Sequence, residues 1–208
     1  MKKIVFMMVL SFSAVFLNAQ TIQLPAPIKT GGKPLMEALS QRHSTRDFDT
    51  NRELSQQTLS NLLWAAWGFN REDKRTAASS MDRQEIDLYV VTKEGIFLYD
   101  AKNNVLRQIV SGDYRKDAGV QAYVATAPLN LIYVCNKSKA KVNSEHDLMM
   151  ATFTNSGLIA QNVYLYCASD NLGAVVRGSI DRANMAKIMH LTNDQMITIV
   201  QTVGYPKE

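Results

Sequence analysis

Arg42-His43-Ser44-Thr45-Arg46 is the stretch from which the rest of the chain is read. It sets two guanidinium groups and a hydroxyl side by side, just beyond a short apolar helical pattern in which Leu35, Met36 and Leu39 recur. A guanidinium is always charged and offers a rigid fork of donors, which suits phosphate better than a point-like ammonium does. Two such forks four residues apart, with Ser44 between them, have the reach to wrap one phosphomonoester and touch the group attached to it. A string of this kind also occurs as a solvated charged face. The motifs downstream decide between the two.

The chain has 208 residues, 46% of them hydrophobic and 20% charged, enough for one domain with a sizeable core. The first nineteen residues stand apart from that core. Lys2 and Lys3 precede an apolar run, Ile4 to Phe16, broken only by Ser11 and Ser13, and Leu17-Asn18-Ala19 has the small-residue character of a cleavage site. The run falls short of the ~20 residues of a membrane span. Residues 1–19 therefore read as a signal peptide rather than a retained anchor, with a mature chain beginning near Gln20. No cysteine lies near the cut, which disfavours a lipid-modified N-terminus. The expected compartment is periplasmic or secreted.

Removing Lys2 and Lys3 takes the formal net charge from +4 to +2. A domain so near neutrality argues against a nucleic-acid partner. Cys135 sits in a strand pattern and Cys167 in a helix pattern, and both read as small buried hydrophobes. A disulfide is chemically permitted outside the cytoplasm. There is no C-x-x-C, and His43, His146 and His190 are scattered, so no metal site is expected.

Taken in order, residues 20–33 hold Pro25, Pro27 and Gly31-Gly32 and read as an extended N-terminal arm leading into a helix near Pro34. A single domain spans 34–208. Ser55 caps a second helix in which Leu59, Leu62, Leu63, Ala66 and Trp67 share a face, and Gly68 ends it. Arg71 to Gln84 has no periodicity and reads as a functional loop. Glu85–Thr92, Ile96–Tyr99 and Val105–Val110 alternate as three strands of an antiparallel meander. Tyr114 to Ala125 reads as helix, stopped by Ala127-Pro128, and Leu129 to Cys135 as a central strand covered on both faces. Asn143 to Ser169 is the longest helical pattern, apolar enough to suggest burial nearly all round. Gly157 within it costs about 1 kcal/mol relative to Ala, which implies close approach of another helix or a planar ligand. A short strand at Ala174–Val176, a helix at Arg182–His190 and a last strand at Met196–Val203 complete an α+β domain, helices flanking one sheet.

With these elements in place the chain resembles the FMN-dependent nitroreductase family over most of its length after residue 19. The resemblance rests on the Arg42–Arg46 string, on Leu62-Leu63-Trp64-Ala65-Ala66-Trp67-Gly68-Phe69-Asn70 and on Arg75-Thr76-Ala77-Ala78-Ser79-Ser80. It continues in Gly157 to Asn162, Leu172-Gly173 with Val176-Arg177-Gly178, and Gly204-Tyr205-Pro206. No single piece is specific; their order is. The resemblance implies an interlocked homodimer with flavin in a cleft at the interface. It implies that Arg42, His43 and Ser44 lie at the FMN phosphate, and that Arg46 reaches the ribityl chain or the pyrimidine edge. Ser79, Ser80 and Asp82 fall in the loop that meets the partner chain's ring, Arg177 and Gly178 lie with their backbone along the ring, and Lys207 adds a second cation to the phosphate. The family loop usually reads Pro-Ser-Ala-Gly/Met-Asn, where this chain has Ala78-Ser79-Ser80-Met81-Asp82. An Asp there loses two N–H donors and adds a charge that repels a flavin carbonyl unless protonated or paired with Arg83.

The implied activity is reduction of flat, electron-poor substrates such as nitroaromatics or quinones, donor and acceptor taking turns in one cleft. The hydride passes through flavin N5, so no catalytic side chain is expected. The electron donor stays open between NAD(P)H, a quinol and a redox protein. Two other readings stay open with it: an FMN-dependent oxidase or dehalogenase on the same scaffold, and a non-catalytic secreted flavin-binding protein.

Overall fold

The computed structural model describes residues 20–207; the signal-peptide reading of residues 1–19 lies outside them. The N-terminal arm contributes a strand, β1 (Thr21–Gln23), and then crosses the molecule as irregular backbone. Its polar groups are satisfied by the helix it crosses. Ser60 Oγ donates to Pro25 O at 2.5 Å, Gln57 Nε2 to Ala26 O at 3.0 Å, and Ile28 N–H to Asn61 Oδ1 at 2.8 Å. The arm ends where the Lys33 N–H donates to Ser169 Oγ. Helix α1 (Leu35–Gln41) follows, then α2 (Gln56–Trp67), whose first turn is capped by Ser55 accepting from the Thr58 N–H. That hydroxyl satisfies one of the amides a helix start leaves without a partner. The cap and the Gly68 terminus are the ones the sequence marks.

Strands β2 (Ile86–Thr92), β3 (Gly95–Asp100) and β4 (Val105–Ser111) form the expected antiparallel meander. After β5 (Leu129–Asn136) come α3 (Lys137–Ala140), the long α4 (Glu145–Ser169), β6 (Gly173–Arg177), α5 (Arg182–Ile188) and β7 (Gln195–Gly204). The seven strands run β1-β4-β3-β2-β5-β7-β6, every neighbouring pair antiparallel. β5 lies between β2 and β7 and is buried from Leu129 to Cys135, as its unbroken apolar run requires. Helices α2 and α4 cover one face of the sheet over a core that includes Leu62, Leu131 and Val163. The other face carries Ile132, Val134 and Val200 beneath Met185 of α5 and Ala118 and Val124. Cys135 and Cys167 are buried, unbonded thiols, and burial pushes the Cys135 thiol up to about 12. The fold is α+β, helices flanking one sheet.

Three expectations need correction. Tyr114 to Ala125 is not a helix but two short 3₁₀ turns, Arg115–Ala118 and Ala122–Ala125, separated by an extended Gly119. The reason lies across the sheet, where the Arg177 guanidinium takes the Ala118 carbonyl at 3.1 Å and so removes an acceptor a continuing helix needs. Helix α4 is not buried all round. Thr152, Asn155, Ser156, Ile159 and Val163 face the sheet, whereas Met150, Phe153 and Leu158 are exposed. The polar members of the buried face are satisfied, Ser156 Oγ lying 2.7 Å from Thr198 Oγ1 and Asn155 donating to Glu85 Oε1 at 2.6 Å. Gly157 belongs to the exposed face, and a Cβ there meets nothing within 4 Å. Among the described residues, none is the close neighbour its presence suggests.

Candidate functional site

The Arg42–Arg46 string lies along the outer edge of β6. Ser44 bridges Ala174 in parallel register, and the Thr45 N–H donates to Ala174 O at 2.9 Å. Gly173 makes this approach possible: a Cβ on it falls 2.6 Å from Thr45 Cγ2, a separation no side chain tolerates. Beyond the string, Phe48 pairs with Pro206, and the Lys207 N–H donates to Asp47 O at 3.1 Å. The chain's last turn is thus fastened to the segment that follows the string.

Beneath both lies Tyr164 of α4. Its hydroxyl accepts the Val176 N–H at 2.8 Å and sits 3.1 Å from Ser44 Oγ, while the Arg42 guanidinium rests over its ring at 5.3 Å from the centroid. A cavity of about 210 Å³ opens here, lined among others by Lys33, Arg42, His43, Tyr164, Asn171 and Pro206. Among the described residues no acidic side chain lines it. Lys33 Nζ is already occupied by Gln41 Oε1 at 2.7 Å, Asn171 Oδ1 at 2.8 Å and Ala168 O at 3.0 Å. Arg42 makes no ion pair or side-chain hydrogen bond among the described residues and is the cation left to face a ligand. His43 holds its Nδ1 2.7 Å from Gln41 O, and Ser44 and Arg46 are exposed. Lys207 is exposed as well, but it lines a different cavity, with Asp47, Asp49 and Tyr123.

The Ser79–Asp82 loop lies elsewhere. Ser80 donates through both its N–H (3.1 Å) and its hydroxyl (3.2 Å) to Asn155 Oδ1, and Ser79 Oγ accepts the Gln84 N–H. Asn155 and Tyr164 are nine residues apart on α4, about 14 Å at ~1.5 Å per residue, so one chain does not bring this loop to the Arg42 string. Met81, Asp82 and Gln84 all adopt positive φ (52°, 55° and 51°), a strained conformation for residues with side chains. It presents Met81 to solvent, 83% exposed. Asp82 pairs not with Arg83 but with Lys74, at 2.6 Å, and the Lys74 hydrogen bond holds its carboxyl below the ordinary value. Arg83 turns instead toward Met81 Sδ at 3.5 Å. Behind the loop Arg75 stacks between Phe69 (3.9 Å) and Trp67 (4.9 Å) and donates to Trp67 O and Gln84 Oε1.

Arg177 divides between two roles. Its backbone ends β6, while its side chain, 6% exposed, crosses to the far face of the sheet. There it donates to Asn130 Oδ1 at 3.1 Å, Thr202 Oγ1 at 2.9 Å and Ala118 O. Among the described residues no carboxylate pairs with it, and burial lowers its pKa. Gly178 is exposed, and a Cβ there meets nothing within 4 Å. Tyr164 and Asn155, the two residues of α4 that organise these regions, were missed in the sequence reading. An aromatic hydroxyl on the buried stripe shared by Ile159, Val163 and Cys167 was the available signal, because a buried Tyr needs a hydrogen-bond partner.

A seven-stranded antiparallel sheet over one long helix, with a basic string fastened to its edge strand, is a nitroreductase-like α+β architecture. The Nitroreductase family model matches residues 39–205, and the chain belongs to that family. A crystal structure of a protein from Ralstonia eutropha JMP134 assigned as a nitroreductase shares 38% identity with a TM-score of 0.85, covering 94% of this chain and 93% of the other. A Methanocaldococcus jannaschii protein with the same assignment is 25% identical over 169 residues, 76% of this chain and 84% of its own. The structure of a Clostridium acetobutylicum protein assigned as an NADH oxidase shares the fold at 21% identity and a TM-score of 0.58, with 84% and 88% of the two chains covered.

Proposed function

We propose that the protein is an FMN-dependent oxidoreductase that reduces flat, electron-poor molecules such as nitroaromatics and quinones. The observation that carries the reading is the arrangement around Tyr164. Arg42 and Ser44 stand beside a cavity without acidic lining, on the edge of the strand that Gly178 follows with open backbone. The donor set suits a dianionic phosphate, since a guanidinium and a hydroxyl give charge-assisted hydrogen bonds. His43, Arg46 and Lys207 surround it as further basic groups. Bound there, FMN would supply a two-electron carrier that alternates between donor and acceptor. The chain's own part is to hold the phosphate at Arg42 and Ser44 and to leave the ring edge open at Gly178. The Lys74–Asp82 pair supports the reading further: the Asp that replaces the family's Asn is neutralised and does not confront a flavin oxygen as a bare anion.

The Ser79–Asp82 loop lies about 14 Å along α4 from Tyr164, and we read it as meeting the partner's ring in a homodimer. The exposed apolar residues of α1 and α4 supply a surface for such pairing. Residues 1–19, read as a signal peptide, place the protein in the periplasm or outside the cell. The electron donor there is a quinol, a redox protein or NAD(P)H.

The test is the visible spectrum of the mature chain, reconstituted with FMN where necessary, followed by anaerobic reduction and addition of a nitroaromatic or a quinone. Flavin absorbance that bleaches and then returns with the acceptor is the expected result. A colourless protein that takes up no FMN overturns the proposal, and reoxidation by oxygen alone turns it toward an oxidase.

A further inference from the structure

We propose that Tyr164 is a positioning residue that fixes the direction of the Ser44 hydroxyl proton and thereby builds the phosphate site. The inference rests on the FMN reading above and concerns what makes that site competent. A backbone N–H can only donate, so in the 2.8 Å bond with Val176 the phenol oxygen of Tyr164 is the acceptor. The phenol proton then has one further partner among the described residues, Ser44 Oγ at 3.1 Å. With the phenol donating to Ser44, the proton of Ser44 is excluded from that bond and turns outward, away from Tyr164. The opposite assignment gives Tyr164 two incoming donors and an idle proton, and leaves Ser44 only lone pairs to offer an anion. Tyr164 is 8% exposed, and Ser44 Oγ is the one acceptor among the described residues within reach of its proton, so donation to Ser44 keeps that proton bonded.

The chain Val176 N–H, Tyr164 O–H, Ser44 O–H therefore has a direction, set by the one member that cannot reverse. The same ring carries the Arg42 guanidinium on its face. One side chain of α4 thus orients both phosphate-binding groups and ties them to β6, the strand that ends at Arg177, just before Gly178. Tyr164 touches neither the ring nor the substrate in this account; it acts through Ser44 and Arg42.

The experiment compares FMN with riboflavin, which lacks the phosphate, by quenching of flavin fluorescence on the apoprotein. Tyr164→Phe keeps the ring under Arg42 and removes only the hydroxyl. Val176 is on the sheet edge and 37% exposed, so water can replace the lost acceptor and the variant is expected to fold, with thermal unfolding as the check. FMN binding should weaken at least about tenfold, as for loss of one charge-assisted hydrogen bond, while riboflavin binding stays within about twofold. Ser44→Ala should give the same pattern. The double variant should bind FMN no more weakly than Ser44→Ala alone, because the Tyr164 hydroxyl works through Ser44. An unchanged FMN-to-riboflavin ratio in Tyr164→Phe, equal loss of both flavins, or additive losses in the double variant would each overturn the proposal. Wild-type protein that binds neither flavin refutes instead the FMN reading on which it stands.

Discussion

At Arg42 the physical situation differs from that at Lys207, although both are basic residues assigned to one phosphate. Arg42 lies half-buried over an aromatic ring with its donors unclaimed among the described residues, whereas Lys207 is exposed and shares its cavity with Asp47 and Asp49. A desolvated guanidinium holding an anion contributes ~1.5–3 kcal/mol, while an exposed ammonium near carboxylates is screened and partly satisfied. Arg42→Ala is therefore expected to weaken FMN binding by roughly 10- to 100-fold, and Lys207→Ala by clearly less. Flavin fluorescence titration checks both, and a reversed order puts the phosphate at the Lys207 side. The Arg42–Arg46 string was legible in the sequence because its residue types carry their chemistry openly. Tyr164 was not. Its importance comes from Val176 and Ser44, which lie 12 and 120 residues away in the chain.

At the level of elements, helices with marked ends were readable and segments decided by distant partners were not. Ser55 and Gly68 bound α2 by local chemistry, and the alternation in β2, β3 and β4 reports a pleated surface directly. Residues 114–125 have helix-compatible spacing, but their conformation is set by Arg177, 59 residues beyond Ala118. Gly119 is the point where that control shows. Its backbone is extended and open to any residue, yet a Cβ on it collides with Arg177 Nη1. That guanidinium cannot swing aside freely, because Asn130, Thr202 and Ala118 all hold it. Gly119→Ala is accordingly expected to destabilise the fold by about 1–3 kcal/mol, the usual cost of overpacking, read as a fall in the denaturation midpoint at constant slope. An unchanged midpoint would show that the 115–125 segment is not clamped from below.

Across the whole molecule, the apolar content of α4 was visible in the sequence, but its distribution between interior and surface was not. The polar Thr152, Asn155 and Ser156 are buried, whereas Met150, Phe153 and Leu158 face outward with Gly157 between them. A period-3.6 pattern identifies a helix; it does not say whether the burying partner lies in the same chain. Helix α1, packed on α4, adds Leu35, Met36 (75% exposed) and Leu39 to the outward apolar set. Exposed apolar area on two adjoining helices is what the proposed homodimer needs as a contact, and in that proposal a second copy of this chain also brings a Ser79–Asp82 loop to the distant phosphate site. Light scattering on the mature protein should then give the mass of two chains. Phe153→Asp buries a charge at that contact and should yield monomers that unfold cooperatively, since the residue lies on the exposed face of α4. Those monomers should also bind FMN more weakly, because Arg42 and Ser44 keep the phosphate but the ring loses its second wall. Monomers with undiminished FMN affinity would mean that one chain encloses the flavin by itself, and that the strained loop bearing Met81 serves some other contact.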